Sequence, residues 1–131
     1  DTEIAILHTL ILVIFTIFSI VGISKEVSSS EKVKSDTIKG GICIYLLIAF
    51  SWANVYSIIY LIDENSFHGV VQNNFQADLL YFSMTSLTTV GYGDIYAVGP
   101  TARMLANLQG IIGVMYPTIF IARLVGLYSK N

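Results

Sequence analysis

Three long apolar stretches constrain this chain more than any other feature of its sequence. They cover residues 4–23, 41–62 and 101–128. A helix needs roughly 20 mostly apolar residues to cross the hydrocarbon core of a bilayer, and each stretch supplies them. Only 12% of the 131 residues are charged and 54% are hydrophobic, whereas soluble domains carry about a quarter charged residues. The sequence therefore predicts an all-α membrane protein with three spanning helices.

The segment between the second and third stretches has a different character. Residues 63–75 are polar and turn-like, residues 77–88 have the pattern of a helix too short to cross, and the glycine-rich run TTVGYGDI follows. Non-helical backbone at membrane depth is tolerated only where protein or a water-filled path satisfies its polar groups. This segment therefore predicts a re-entrant loop that lines a pore or a binding cavity.

The distribution of charge predicts an orientation. Six of the seven basic residues lie in residues 24–39 or near the C-terminal end of the chain: Lys25, Lys32, Lys34, Lys39, Arg123 and Lys130. Only Arg103 falls on the other side of the predicted membrane. The positive-inside rule places residues 24–39 and the C-terminus in the cytoplasm, with the N-terminus and the re-entrant loop outside. Six acids then collect outside, where they raise the local cation concentration: Asp1, Glu3, Asp63, Glu64, Asp78 and Asp94.

Residues 88–94 read TTVGYGD, and here the chain resembles the potassium channels, whose selectivity filter carries this signature. The resemblance covers the second span, a pore helix, the filter and the third span. It implies that residues 40–131 form a pore domain of outer helix, pore helix, filter and inner helix. Residues 24–39 are then a cytoplasmic loop, and residues 1–23 a peripheral transmembrane helix. The resemblance also implies a homotetramer, with three further copies of this chain around one ion path. No targeting signal is recognised in the sequence, which favours a bacterial plasma membrane.

The chemistry of the motif fits the conduction of potassium. The ion leaves water only if oxygen atoms replace its hydration shell, and backbone carbonyls do this when successive residues alternate in handedness. Gly91 and Gly93 occupy alternate positions, and glycine enters the left-handed region without penalty. By resemblance, K⁺ ions occupy the filter, no organic cofactor is expected, and the Thr89 hydroxyl completes the innermost site. The carbonyls that line the path would be those of Thr89, Val90, Gly91 and Tyr92.

Other residues of this region are expected to support the filter. The side chains of Val90 and Tyr92 would point into the wall, and keeping a tyrosine at Tyr92 favours potassium over non-selective conduction. Tyr81 and Phe82 match an aromatic cuff in the family, although ordinary packing is the alternative. Thr85 replaces a glutamate that pairs in some family members with the aspartate matching Asp94, so no carboxyl pair is expected. The expected filter support comprises Tyr81, Phe82, Thr85, Thr88, Gly93 and Asp94.

The third span predicts a gate. Gly113 aligns with the hinge glycine of the family, and Pro117 removes a backbone hydrogen bond and promotes a kink. Apolar side chains below the bend, such as Ile119 or Leu124, would narrow the inner mouth. The alternative is that the small residues of this span serve close helix packing. These are Ala106, Gly110, Gly113, Ala122 and Gly126.

The remaining polar positions in the spans predict structural roles. The first span contains no arginine or lysine, so it is not a voltage sensor. It is expected to pack at the periphery, braced by the second span. Asn54, an amide near the middle of the second span, is expected to face another helix. Cys43 is expected to be buried and inert, and His8 is expected to be an inert interfacial histidine.

Several other functions compete with a potassium channel. A non-selective cation channel is the nearest alternative, and Tyr92 argues against it. A potassium-uptake transporter subunit would carry four degenerate pore repeats, whereas this chain has one intact motif. A non-conducting regulatory membrane protein would not need the filter. Enzymatic activity is not expected, because His8 and His68 lie in different segments and no catalytic cluster appears.

Composition and chain ends give expectations about partners. A net charge of −2 implies no nucleic-acid partner, and the apolar spans imply contact with membrane lipid. The chain begins at Asp1 without a methionine, so flanking domains are expected, including a cytoplasmic gating domain outside this chain.

Overall fold

The computed structural model describes residues 2–30 and 32–129. Asp1 and Lys130, which contribute to the predicted orientation, lie outside the described residues, as do Glu31 and Asn131. The described part of the chain contains four α-helices: α1 Thr2–Ser29, α2 Ser35–Ile62, α3 Phe75–Leu87 and α4 Pro100–Tyr128. Two short strands, β1 Phe67–His68 and β2 Tyr96–Ala97, pair between α2 and α4.

Within the described residues, α1, α2 and α4 are long and apolar enough to cross a membrane. The helix α3 has 13 residues, too few to cross the hydrocarbon. The predicted fold class is therefore confirmed: the protein is an all-α membrane protein with three spanning helices and one short helix between the last two.

The helix ends differ from the predicted spans. Helix α1 continues past residue 23 to Ser29, and α2 already begins at Ser35, so most of the expected loop 24–39 is helical. The physical reason is that hydropathy marks the depth of the hydrocarbon and not the end of a helix. Lys25 and Glu26 are good helix formers, so they extend α1 beyond its apolar part.

Helix α4 has a well-defined start. Pro100 occupies its first position and Gly99 precedes it as the N-cap. Proline suits this position because its fixed φ matches a helix and its missing N–H would have no partner there. The start of α4 is therefore set shortly after β2.

The core lies where α2, α3 and the start of α4 meet. Tyr56 of α2, Phe67 of β1 and Phe82 of α3 form a cluster of edge-to-face aromatic pairs, with ring centroids 5.1 to 5.5 Å apart. Leu79 and Ala102 complete it and are fully buried. Because aromatic rings contribute large buried areas, this cluster fixes α3 against both spanning helices.

Helix α1 packs along α2. Thr9 and Thr16 are its buried polar residues, and their hydroxyls donate to carbonyls of the preceding turn, at 2.8 Å for Thr9 to Ala5 O. Its large apolar side chains, Ile4, Leu7, Ile11, Ile14 and Phe18 among them, are exposed. Helix α1 is thus braced by α2, while its distance from a central axis stays a prediction.

The expectation for Cys43 of α2 is wrong, whereas Asn54 faces another helix as expected. Cys43 is exposed and not buried. Asn54 borders a cavity of about 420 Å³ with His8 and Leu12 of α1. Its amide nevertheless donates to Phe50 O of its own helix, at 2.8 Å. The preceding turn therefore satisfies the amide without a partner from another helix.

Candidate functional site

The backbone of residues 88–94 alternates in handedness. Thr89, Gly91 and Gly93 have positive φ angles of 60°, 52° and 80°, while Val90 and Tyr92 between them do not. The glycines were expected in the left-handed region, but Thr89 was not. A β-branched residue is rarely found there. The glycine-rich run thus carries the alternation that its sequence predicts, extended by one residue.

The end of α3 holds the first half of this run. Thr89 N–H donates to Ser86 O at 3.2 Å, and Gly91 N–H donates to Thr85 O at 3.1 Å. Thr88 caps α3 with its backbone N–H on Met84 O at 3.0 Å. The run therefore leaves directly from the C-terminal end of α3, where the helix dipole places partial negative charge that favours cations.

Tyr81 holds the outer end of the run. Its hydroxyl donates to Asp94 Oδ2 at 2.9 Å, and its ring stacks on Tyr92 with centroids 6.2 Å apart. Burial, followed by the hydrogen bond to Asp94, raises the pKa of the Tyr81 hydroxyl. The hydroxyl therefore stays protonated and remains a donor at neutral pH. The predicted hydrogen-bonding capacity of Tyr81 is thus directed at Asp94.

Unlike Tyr81, three other residues expected to support the filter make no side-chain hydrogen bond to residues 89–94: Phe82, Thr85 and Thr88. Phe82 lies in the aromatic core behind α3, so its contacts are those of packing. The hydroxyl of Thr85 donates to Phe82 O at 3.0 Å and that of Thr88 donates to Met84 O at 2.7 Å. Both hydroxyls thus bond within α3. Asp94 Oδ1 accepts instead from the backbone N–H of Ile95, at 3.0 Å.

The two-stranded sheet of β1 and β2 covers the end of the run at Asp94, and this contact was not predicted. Its register pairs Phe67 with Ala97 and His68 with Tyr96. A Cβ added to Gly69, which has a φ of 83°, would lie only 2.3 Å from Asp94 O. Gly69 itself was the only sequence signal for this close approach. Any larger residue at position 69 would push the segment that follows β1 away from Asp94.

Within a single chain, the glycine-rich run is covered by protein on one side only. Val90 and Tyr92 are 53% and 72% exposed. A Cβ added to Gly91 or Gly93 would meet nothing within 4 Å. Apart from Tyr81, the wall expected around Val90 and Tyr92 is therefore not built by this chain. One chain also offers only one carbonyl at each level.

Gly113 lies at a close approach of two helices. A Cβ added there would fall 1.9 Å from Leu87 O. The Tyr45 hydroxyl donates to Leu87 O at 3.1 Å and to Gly113 O at 3.4 Å. Pro117 lies inside α4, which continues through it to Tyr128. These contacts favour the packing role of Gly113, and bending at Gly113 and Pro117 stays a prediction.

The two apolar residues predicted for the gate lie on different parts of α4. Ile119 borders a cavity of about 180 Å³ together with Val27 and Ser28 of α1, so it lies beside α1. Leu124 is half-buried. The face of α4 turned away from the rest of the chain exposes other apolar side chains, namely Ile111, Val114, Ile121 and Val125.

Comparison with known proteins agrees with this geometry. A family model described as ion channel matches residues 42–130, a range that includes α2 from residue 42 onward and the whole of α3, the glycine-rich run and α4. Comparisons with the curated proteins and with the solved structures give no match. In the described part of the chain, no group of three or more His, Cys, Asp or Glu side chains comes together.

Proposed function

The chain belongs to the ion channel family, and we propose that it is the pore-forming subunit of a potassium-selective channel. The observation that carries the proposal is the alternating handedness from Thr89 to Gly93 within the sequence TTVGYGD. Such a backbone suits a row of carbonyls that replaces the hydration shell of K⁺. The ion is the conducted substrate, and its ligands are the carbonyls of Thr89, Val90, Gly91 and Tyr92 with the Thr89 hydroxyl.

The proposed assembly is a homotetramer with the ion path on its axis. Four chains supply four carbonyls at each level, which one chain lacks. The exposure of Val90 and Tyr92 supports this assembly, because contiguous exposed apolar surface around a site marks an interface. Neighbouring copies would provide the rest of the wall behind the filter.

The proposed topology has the N-terminus and the filter mouth outside a cell membrane, with the C-terminus and the loop between α1 and α2 in the cytoplasm. The positive-inside bias of the lysines supports it. Arg123 of α4 also donates to Ser28 near the end of α1, so these two helix segments lie on one side. Membrane lipid and a cytoplasmic gating domain outside this chain are the further proposed partners. No nucleic-acid partner and no enzymatic activity are proposed.

The proposed gate is the inner helix α4. It would bend between Gly113 and Pro117, since proline withholds the N–H that would bond to Gly113 O. Below the bend, apolar side chains such as Leu124 would narrow the inner mouth. Closure of such a constriction excludes water and therefore ions.

A bi-ionic reversal potential tests the selectivity. Purified protein in a planar bilayer, with potassium on one side and sodium on the other, is expected to reverse close to the potassium equilibrium potential. Gly91→Ala is the control, because an alanine at a φ of 52° is strained and should abolish the current. Clear current that reverses near zero would instead establish a non-selective cation channel. Reconstituted tetramers that pass no K⁺ under any condition would favour a non-conducting role.

A further inference from the structure

Three fully buried polar side chains meet where α2, α3 and α4 come together. Tyr56, Ser83 and Gln109 each have 0% of their surface exposed. The Tyr56 hydroxyl donates to Gln109 Oε1 at 2.6 Å. Gln109 Nε2 donates to Ser83 Oγ at 2.7 Å and to Ser83 O at 3.0 Å, and the Ser83 hydroxyl donates to Ala49 O at 2.6 Å. One amide thus joins all three helices.

This network lies one helical turn before the point where Gly113 of α4 contacts Leu87 of α3. Four residues separate Gln109 from Gly113, and four separate Ser83 from Leu87. At the turn that contains Leu87 and Gly113, the Tyr45 hydroxyl donates to both of their carbonyls. Helix α3 is therefore held against α4 at two successive turns, and the second one ends directly before Thr88.

The buried amide of Gln109 constrains the orientation of α3, which apolar packing alone does not. Apolar contacts are non-directional, and helices in a membrane gain little from burying apolar surface against each other. Hydrogen bonds are directional, and a fully satisfied buried network specifies one arrangement. Among the described residues, every buried side-chain nitrogen and oxygen has a partner. The network thus fixes both the height and the rotation of α3.

We propose that Gln109 is a positioning residue for the filter and acts on it through Ser83. Ser83 lies just before Thr85 and Ser86, whose carbonyls hold the N–H groups of Gly91 and Thr89. A shift or rotation of α3 therefore moves residues 89–91 directly. Selectivity is a difference between two ion affinities, so a small displacement of the carbonyls changes it. This inference rests on the proposed function, because it takes residues 88–94 as the filter.

The test uses three variants of the full chain, reconstituted as tetramers. Gln109→Leu removes every bond of the amide at similar volume, and Ser83→Ala removes only the hydroxyl. Gln76→Leu is the matched control, the same change at an exposed position of α3. Two quantities are measured on each: the permeability ratio of K⁺ to Na⁺, and the hydrogen exchange of amides 88–94 by mass spectrometry.

The expected result is graded. In Gln109→Leu the permeability ratio falls about tenfold, which corresponds to about 1.4 kcal/mol, and exchange of amides 88–94 accelerates. Ser83→Ala shows a smaller change of the same kind, and Gln76→Leu matches the unmodified protein.

The opposite result is equally clear. If the variants assemble and keep both the ratio and the exchange of the unmodified protein, the network is packing only and the inference is wrong. If Gln109→Leu does not assemble, Ser83→Ala decides by the same two measurements. A non-selective unmodified protein would refute the proposed selectivity, whereas the exchange of amides 88–94 would still decide whether Gln109 positions them.

Discussion

Thr89 has a φ of 60° although its side chain branches at Cβ. A non-glycine residue in this region costs on the order of 1–3 kcal/mol and persists only where its surroundings hold it. Here Thr89 is held by the hydrogen bond that its N–H donates to Ser86 O. Two residues further on, Gly91 is held by the bond that its N–H donates to Thr85 O. The strain is therefore held by the end of α3, beside the carbonyls proposed to bind K⁺.

Gly93→Ala tests whether handedness alone sustains conduction. Gly93 has a φ of 80° and an added Cβ would meet nothing within 4 Å, so the only penalty within the chain is conformational. That penalty is roughly 1–2 kcal/mol for each chain. We expect loss of K⁺ flux into proteoliposomes while the tetramer persists on size exclusion.

Gly22→Ala is the control for this prediction. Gly22 also has open space around it, but it does not have a positive φ. Its flux should equal that of the unmodified protein. Normal flux in Gly93→Ala would show that the alternation is dispensable at this position.

At the scale of elements, helix α4 combines what the sequence predicts with what it does not. The family's hinge position identified Gly113, but only the fold reveals that its backbone lies against Leu87. Sequence periodicity carries no information on which carbonyl of another helix approaches it. Gln109 was missed for the same reason, although an amide within an apolar span is itself a signal of a polar partner.

Gly113→Ala is expected to destabilise the junction of α3 and α4. The new Cβ would lie 1.9 Å from Leu87 O, which is backbone and does not move aside as a side chain would. Overpacking of this kind costs about 1–3 kcal/mol. The thermal midpoint of the tetramer in detergent should fall. Gly126→Ala, on the same helix with open space around it, should leave the midpoint unchanged or raise it.

Pro117→Ala separates bending from packing, which Gly113→Ala does not. It restores the N–H that proline withholds and straightens α4. A lower open probability at unchanged thermal midpoint would support the bend between Gly113 and Pro117. An unchanged open probability would leave Gly113 with its packing role alone.

At the scale of the whole molecule, one side chain of α4 bonds directly to the first helix, a contact that no sequence pattern indicated. Arg123 of α4 donates to both the hydroxyl and the carbonyl of Ser28 in α1. A second bond ties α4 to α2, since the Tyr116 hydroxyl donates to Gly41 O at 2.8 Å. The apolar runs predicted three helices and the motif predicted the pore, but neither indicates the contact between Ser28 and Arg123. These contacts lie near or below Pro117, so a bend there must break them or carry α1 along.

Arg123→Gln tests this connection. The shorter amide should lose the bonds to Ser28, and hydrogen bonds from charged groups contribute more than neutral ones. If these bonds stabilise the end of α1 by about 1 kcal/mol, their loss would accelerate local unfolding of that end about fivefold. We therefore expect hydrogen exchange of residues 24–29 to rise by that factor in nanodiscs. Lys25→Gln is the control, since Lys25 is exposed on α1 and its charge is removed in the same way. Equal exchange in both variants would mean that α1 is held by α2 alone, and bending of α4 would then proceed independently of the first helix.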